Sequence, residues 1–371
     1  MDDGRRLDYL DNIRWITVLL VIIYHIIYLF NNSGVISNIN VKGIPVMDTF
    51  LIFVYPWFMC LLFVIAGISS RYSLEKRVDK EFIKDRAQRI LVPSLLGIFI
   101  YGWVSSVITN QYTDMFVGKG DAIPGVIKYL IYCLAGIGPL WFCHVLFIGS
   151  LLIVLIKKID KKDKLTEICR KINLPVLFAM VFLVWGSSFI LNTPLITVYR
   201  FGIYLFMMLL GYYVFSNQEL IIKLEKVSLP LTIASIVTGI VYVVTYYGQN
   251  FADNNVLNDL FSNIYLWICI LSILGIGNRF LNFKNKFTQY MTGNNFSFYI
   301  LHYVVELVLG YLIVTYLDLP FMINYILILL GVIIILPLLV EIVKRIPFVR
   351  YMVLGIKKNF AYFLCLVHIL Y

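Results

Sequence analysis

Apolar residues in this chain arrive in long uninterrupted runs, and short polar, often basic, connections separate them. The runs fall at about 13–30, 50–69, 90–109, 139–156, 174–191, 195–216, 229–247, 258–277, 294–317 and 321–343. Each is about 18 to 24 residues long, enough at 1.5 Å per residue to cross a hydrocarbon layer of about 30 Å as a helix. The pattern predicts an all-α polytopic membrane helical bundle of about ten transmembrane helices. Residues 123–137 are also apolar but end at Gly136, Gly138 and Pro139. They read as an interfacial or re-entrant helix ahead of the fourth span. The first run ends in Phe30-Asn31-Asn32 without a small-residue cleavage motif, so it reads as a retained helix rather than a signal peptide.

The connections alternate in charge. Segment 70–89 carries seven basic residues, Arg71, Lys76, Arg77, Lys80, Lys84, Arg86 and Arg89, and segment 157–173 carries another seven. Lys223 with Lys226, Arg279 with Lys284 and Lys286, and Lys344 with Arg345 mark the later ones. The intervening connections are nearly bare, with Lys42 in one and Lys119 in another. By the positive-inside rule this places both chain ends in the cytoplasm of a multi-pass cell-membrane protein. Arg200 is an exception, just inside the outer end of the sixth run, where the expectation is that it snorkels outward.

Composition changes this picture little. The chain of 371 residues is 61% hydrophobic and 14% charged, with a mean hydropathy of +0.86, whereas a soluble domain is about a quarter charged. The net charge of +10 is accounted for by the topogenic loops, which removes nucleic acid as a partner and leaves the lipid bilayer. The six cysteines form no CxxC pair, and most lie within apolar runs, so neither a disulfide framework nor a zinc site is expected. No HExxH or His/Cys cluster suggests a metal centre. Residues 1–345 read as one transmembrane domain, and 346–371 as a basic, aromatic cytoplasmic or interfacial tail.

Titratable groups within spans are costly, and function is the default explanation for them. In the first helix, Arg14 and His25 are eleven residues apart. That is about three turns, so they share a face about 16 Å apart. The structural explanation makes Arg14 a topology anchor and His25 a packing hydrogen bonder. The functional one places an anion near Arg14 and a histidine base deeper in the membrane. In the ninth span Glu306 follows His302 by four residues, on the same face, either as a structural pair or as a proton relay. His144, beside Trp141 in GPLWFCHVLF, reads as a packing or acceptor-side residue. Arg86 and Arg89, three apart in the densest basic loop, serve topology and lipid headgroups, or fork a substrate phosphate.

Several stretches, in order, carry a family resemblance. LDNIRWITVLLVIIYH is similar to LDxLRxxxxxxVxxxH, FVIAGISSRYSL to FFxxSGF, and FIKDRAQRILVPSLLG to RxxRIxP. GPLWFCHVLF is similar to hLWFLxxLF, and NNFSFYILHYVV to SYxxYLxH. Over most of residues 7–310 the chain resembles the membrane acyltransferase-3 family of O-acyltransferases, and within it the glucan-biosynthesis protein C branch. Ala66 departs from the usual serine and Cys143 from the usual leucine, and no SGNH esterase-like domain is evident. The resemblance implies transfer of an acyl group, acetyl or succinyl, from cytoplasmic acyl-CoA to a hydroxyl of an extracytoplasmic carbohydrate. It also implies no bound cofactor, with acyl-CoA as co-substrate. Arg14 and His25 take the place of the family's arginine and histidine: His25 would be the catalytic base or acyl carrier, Arg14 would position the donor, and Arg86 and Arg89 would bind acyl-CoA. His302, Glu306, His144 and Trp141 would support them. A proton-coupled transporter or flippase is the competing class, although no inverted repeat or matched pair of broken helices is evident.

Overall fold

The computed structural model describes residues 7–192 and 200–356. Within them the chain is a bundle of helices, and no strand occurs among the described residues. Eight helices are long and apolar enough to cross a membrane. They are α1 (Asp8–Tyr28), α2 (Pro45–Lys76), α3 (Asp79–Tyr112), α5 (Gly138–Ile159), α10 (Ser228–Tyr246), α11 (Leu260–Phe280), α12 (Lys286–Tyr316) and α13 (Phe321–Arg345). Between α3 and α5 lies the short apolar helix α4 (Gly125–Ala135), at the place where the sequence predicts an incomplete span. Helix α14 (Pro347–Leu354) follows α13.

The fifth and sixth expected spans take a different form. Helix α6 (Lys164–Arg170) meets α7 (Leu174–Ser187) at 110°, and α8 (Phe201–Tyr213) meets α9 (Gln218–Lys226) at 100°. Counting each bent pair once raises the total from eight to ten. The bends follow composition. Helices α6 and α9 carry the charges of basic connections, so they cannot continue the apolar rods they adjoin. Pro175 at the start of α7 and the side-chain cap of Asn217 on the amide of Glu219 mark the breaks. The start of the predicted 195–216 run lies partly outside the described residues, as do Arg5, Arg6 and His368.

Helix α2 forms the centre of the bundle: 89% of its most apolar window is buried, against 17% in α10 and 28% in α13. Large apolar side chains such as Val244, Ile333, Ile334 and Leu338 point outward from those two helices, as lipid-facing residues do. Tight packing of α8 on α2 makes the centre dense. A β-carbon added at Gly67 would fall 2.0 Å from the Met208 carbonyl oxygen, and one added at Gly211 would fall 2.1 Å from that of Val64. Such backbone proximity is the membrane use of small residues, because apolar lipid supplies no hydrophobic drive for helix association. It brings Tyr204 of α8 into stacking on Phe63 of α2 (5.0 Å between centroids) and on Trp141 of α5 (5.1 Å).

Helix α3 is not a uniform rod. Residues Ala87–Leu91 and Ile98–Gly102 are π-helical turns, a form found mostly at functional sites. The first of them falls where Arg86 and Arg89 are presented. The helix α14 packs near this turn: a β-carbon on Gly355, which follows it with φ 63°, would sit 2.7 Å from the Arg89 carbonyl oxygen.

Because α2 and α8 approach through glycine on both sides, enlarging either one must push the helices apart. Gly211→Leu is expected to destabilise the protein by about 1–3 kcal/mol or more. The change should appear as a lower unfolding temperature in detergent and lower yield, while Gly186→Ala, which has open space beside it, should leave both unchanged.

Candidate active site

A cavity of about 1240 Å³ opens among α1, α2, α3, α5 and α12. Its rim carries Arg14, Lys76, Arg77, Arg86 and Arg89, and its deep end is apolar and aromatic, with Val18, Leu62, Phe142 and Tyr299. Two consecutive serines at the end of α2 organise the rim. Arg14 donates to Ser69 Oγ (2.6 Å) and to Asp11 Oδ1 (2.8 Å), and Arg86 donates to Ser70 Oγ (3.3 Å). Arg89 and Arg77 instead both meet Asp85, at 2.9 and 3.4 Å. Arg86 and Arg89 are three apart, and both line the cavity, but the π-turn between them separates their roles. Arg86 reaches inward to the serines, and Arg89 stays at the exposed rim. With only Asp11, Asp85 and Glu75 among five arginine or lysine side chains, the cavity wall is strongly cationic.

His25 and His302 meet farther in. His25 Nδ1 lies 3.2 Å from His302 Nε2. The backbone fixes the tautomer of each ring. His25 Nδ1 is 2.9 Å from the Val21 carbonyl oxygen, and His302 Nδ1 contacts that of Tyr299. A carbonyl oxygen only accepts, so both Nδ1 atoms carry hydrogen. His302 Nε2 therefore presents a lone pair, and the His25 Nδ1 hydrogen is shared between it and Val21. The remaining nitrogen, His25 Nε2, holds a lone pair and has no partner among the described residues. His25 is half-buried, whereas His302 and Glu306 are fully buried.

The sequence places His302 and Glu306 on one face, and the fold adds His25 to them across the α1–α12 contact. Ligating atoms of the three lie within 4.8 Å of one another. They satisfy the distance condition for a metal site, but the His25 nitrogen nearest the others points its hydrogen at Val21. Neither Glu306 oxygen has a hydrogen-bond partner.

Neither His25 nor His302 lines the cavity; Tyr299 of α12 stands between its wall and the pair. Tyr299, on the cavity wall, packs its ring 5.5 Å from that of His302 and supplies the carbonyl that orients it. Val18, the deepest α1 residue in the wall, is two turns before His25, about 10 Å along the axis. On the far side Tyr303 lies 5.0 Å from His25, ring to ring. It donates to Asn38, which in turn donates to Thr109 Oγ1 at 2.7 Å. The outer loop is thus tied directly above the histidines.

The remaining expected site residues take different places. Trp141 stacks on Tyr204 beside the cavity's deep end. His144 is one turn further along α5, its Nε2 buried without a partner, and it joins no grouping with the other histidines. Sequence reading passes over Ser69, Ser70, Tyr299 and Tyr303. The hydroxyls of FVIAGISS and the tyrosines flanking His302 were the available signal, but neither pattern marks itself apart from packing. Arg200 does not snorkel. Its side chain is 3% exposed, because α8 is drawn into the bundle by the Gly67–Gly211 approach.

Comparison with known proteins agrees with this architecture. A family model described as an acyltransferase domain matches residues 7–341. The glucans biosynthesis protein C of Escherichia coli (strain K12) is 24% identical, over 81% of this chain and 82% of its own length. That of Shigella boydii serotype 4 (strain Sb227) gives the same figures. No solved structure matches. With nine-tenths of its length matched, this multi-pass membrane protein belongs to the acyltransferase-3 family and is a membrane acyltransferase.

Proposed function

We propose that the protein transfers an acetyl or succinyl group from cytoplasmic acyl-CoA to a hydroxyl of an extracytoplasmic carbohydrate. The observation that supports this reading is a juxtaposition: a cavity with an arginine-bearing rim has Tyr299 in its wall, the residue whose carbonyl orients the His302–His25 pair. The arginine rim suits the phosphates of CoA. The apolar deep end suits the pantetheine arm and thioester. The printed name of the relatives, glucans biosynthesis protein C, agrees with a carbohydrate acceptor.

In this scheme Arg14 holds the donor, its guanidinium oriented by Asp11 and Ser69, and Arg86 and Arg89 bind the CoA end. His25 Nε2 removes the proton from the acceptor hydroxyl as its oxygen attacks the thioester carbonyl carbon. The C–S bond breaks, and the proton held on His25 passes to the departing CoA sulfur. His302 stabilises the imidazolium by accepting from His25 Nδ1–H, and Glu306 adds its charge. The same Nε2 lone pair would serve in a covalent variant, in which His25 accepts the acyl group first. Trp141 shapes the acyl end, and His144 is left as a packing or acceptor-side residue. In this reading residues 1–345 form the transmembrane acyltransferase domain, with 346–371 as a cytoplasmic or interfacial tail, and both termini face the cytoplasm.

The orientation is checked by cysteine labelling: engineered cysteines near Asn254 and Lys119 should react with an impermeant reagent from outside, and those near Lys161 and Lys80 only after permeabilisation. For the donor site, Arg14→Ala should raise the apparent acyl-CoA KM or abolish turnover, and unchanged donor kinetics in an inserted protein would remove Arg14 from it. Ser69→Ala should do so more weakly. His25→Gln and His25→Ala should both insert at parental abundance and lose at least about 100-fold in acyl transfer, the usual scale of a lost general base. Near-normal turnover in His25→Gln would sink the catalytic role. His302→Gln should lower kcat with little change in KM. Since the base must be neutral, kcat should fall as pH drops and the histidine pair takes up a proton. A transporter would instead show substrate-dependent proton flux without CoA release.

A further inference from the structure

Arg200 takes no part in the scheme above, yet it is placed where a charge is hardest to keep. It precedes the first residue of α8, and its side chain is buried to 3% exposure. Among the described residues no carboxylate pairs with it. Its Nη2 makes one long contact, 3.5 Å to the Leu257 carbonyl oxygen, and its Nε has no partner. The acid closest in sequence to that carbonyl, Asp259, is taken by the Tyr246 hydroxyl at 2.5 Å. A guanidinium carries five donor hydrogens, and among the described residues this one makes only that single long hydrogen bond inside a membrane protein, where ionisable groups are expensive and mark function.

Arg200 lies one helical turn before Tyr204 of α8. Tyr204 stacks on Trp141 and Phe63, the aromatic wall beside the deep end of the donor cavity. Arg200 is therefore one helical turn from the tyrosine that packs on that wall.

We propose that Arg200 is the binding residue for a free carboxylate on a substrate, held bidentately by the guanidinium fork. The proposal rests on the acyl-transfer reading and extends it to specificity. Two substrates could bring that carboxylate. One is the donor, through the distal carboxylate of a dicarboxylic acyl thioester such as succinyl-CoA. The other is the acceptor, through an acidic sugar. In both cases the carboxylate stays unreacted and supplies binding and orientation only.

The test compares the parent protein with Arg200→Gln and Arg200→Lys, each purified in detergent. In the donor arm, kcat/KM is measured for succinyl-CoA and acetyl-CoA with a neutral methyl glucoside as acceptor. In the acceptor arm, acetyl-CoA is used with methyl glucuronide and methyl glucoside. Arg200→Gln is expected to lower one of the two ratios, acid over neutral, by at least about tenfold, the scale of a lost charge-assisted hydrogen bond, and Arg200→Lys to recover part of it. The arm that changes identifies the source. A structural role alone would lower all four rates together, and that result, or two unchanged ratios, overturns the proposal. A second measurement needs no turnover. The succinyl thioester of N-acetylcysteamine and the glucuronide are each compared with their methyl esters as thermal stabilisers of the parent protein. Stabilisation by a free acid beyond its ester, lost in Arg200→Gln and partly kept in Arg200→Lys, supports the site, and equal effects of acid and ester on the parent overturn it. Absence of CoA release from the parent protein with every thioester would overturn the acyl-transfer reading instead, while the binding measurement still decides Arg200.

Discussion

The contact between His25 and His302 joins two helices from opposite ends of the chain through polar side chains in the interior of a membrane protein, and the rest of the site is arranged around it. An imidazole there needs its hydrogens and lone pairs accounted for, because water is scarce and an unmet polar group is costly. The backbone meets part of that need: Val21 and Tyr299 carbonyls each take an Nδ1 hydrogen. This leaves the two rings complementary to each other and one nitrogen of His25 without a partner among the described residues. The α1–α12 pairing therefore does two things at once. It packs two spans, and it fixes the tautomers of both rings.

Helix α2 supplies the other constraint. It is the most buried span, and its glycine-mediated approach to α8 leaves no room for backbone adjustment on that side. Toward its C-terminal end it carries Ser69 and Ser70, which hold Arg14 and Arg86, while its middle carries Phe63, which stacks on Tyr204. A single rigid helix thus positions the rim of the cavity and its aromatic end. The π-turns of α3 complement it by directing Arg86 inward and leaving Arg89 with Asp85 at the rim.

The buried charges divide by how they are met. Arg14 shares its guanidinium between a carboxylate and a serine, and Arg89 and Arg77 share Asp85. Among the described residues Glu306 and Arg200 lack comparable partners. Those two groups differ in position: Glu306 is buried beside the histidine pair, and Arg200 is buried at the start of α8, against the Leu257 carbonyl.

The sequence by itself determined the membrane class, because runs of apolar residues have no other stable use and basic loops alternate between them. It determined the place of most spans to within a few residues, and it brought Arg14, His25, His302 and Glu306 into view, because charge within an apolar run is conspicuous. It also carried the order of motifs that marks the family. It did not determine that the fifth and sixth spans are short and bent, since hydropathy is blind to the angle between an apolar rod and the charged helix that follows it. Only the tertiary structure decided that His302 meets His25 while His144 does not. Periodicity relates residues on one helix and is silent about which helices touch. The structure alone assigned Ser69 and Ser70 to the arginines and turned Arg200 inward. Both depend on how closely α2 and α8 approach, and that distance is set by glycines whose importance shows only when the facing backbone is in place.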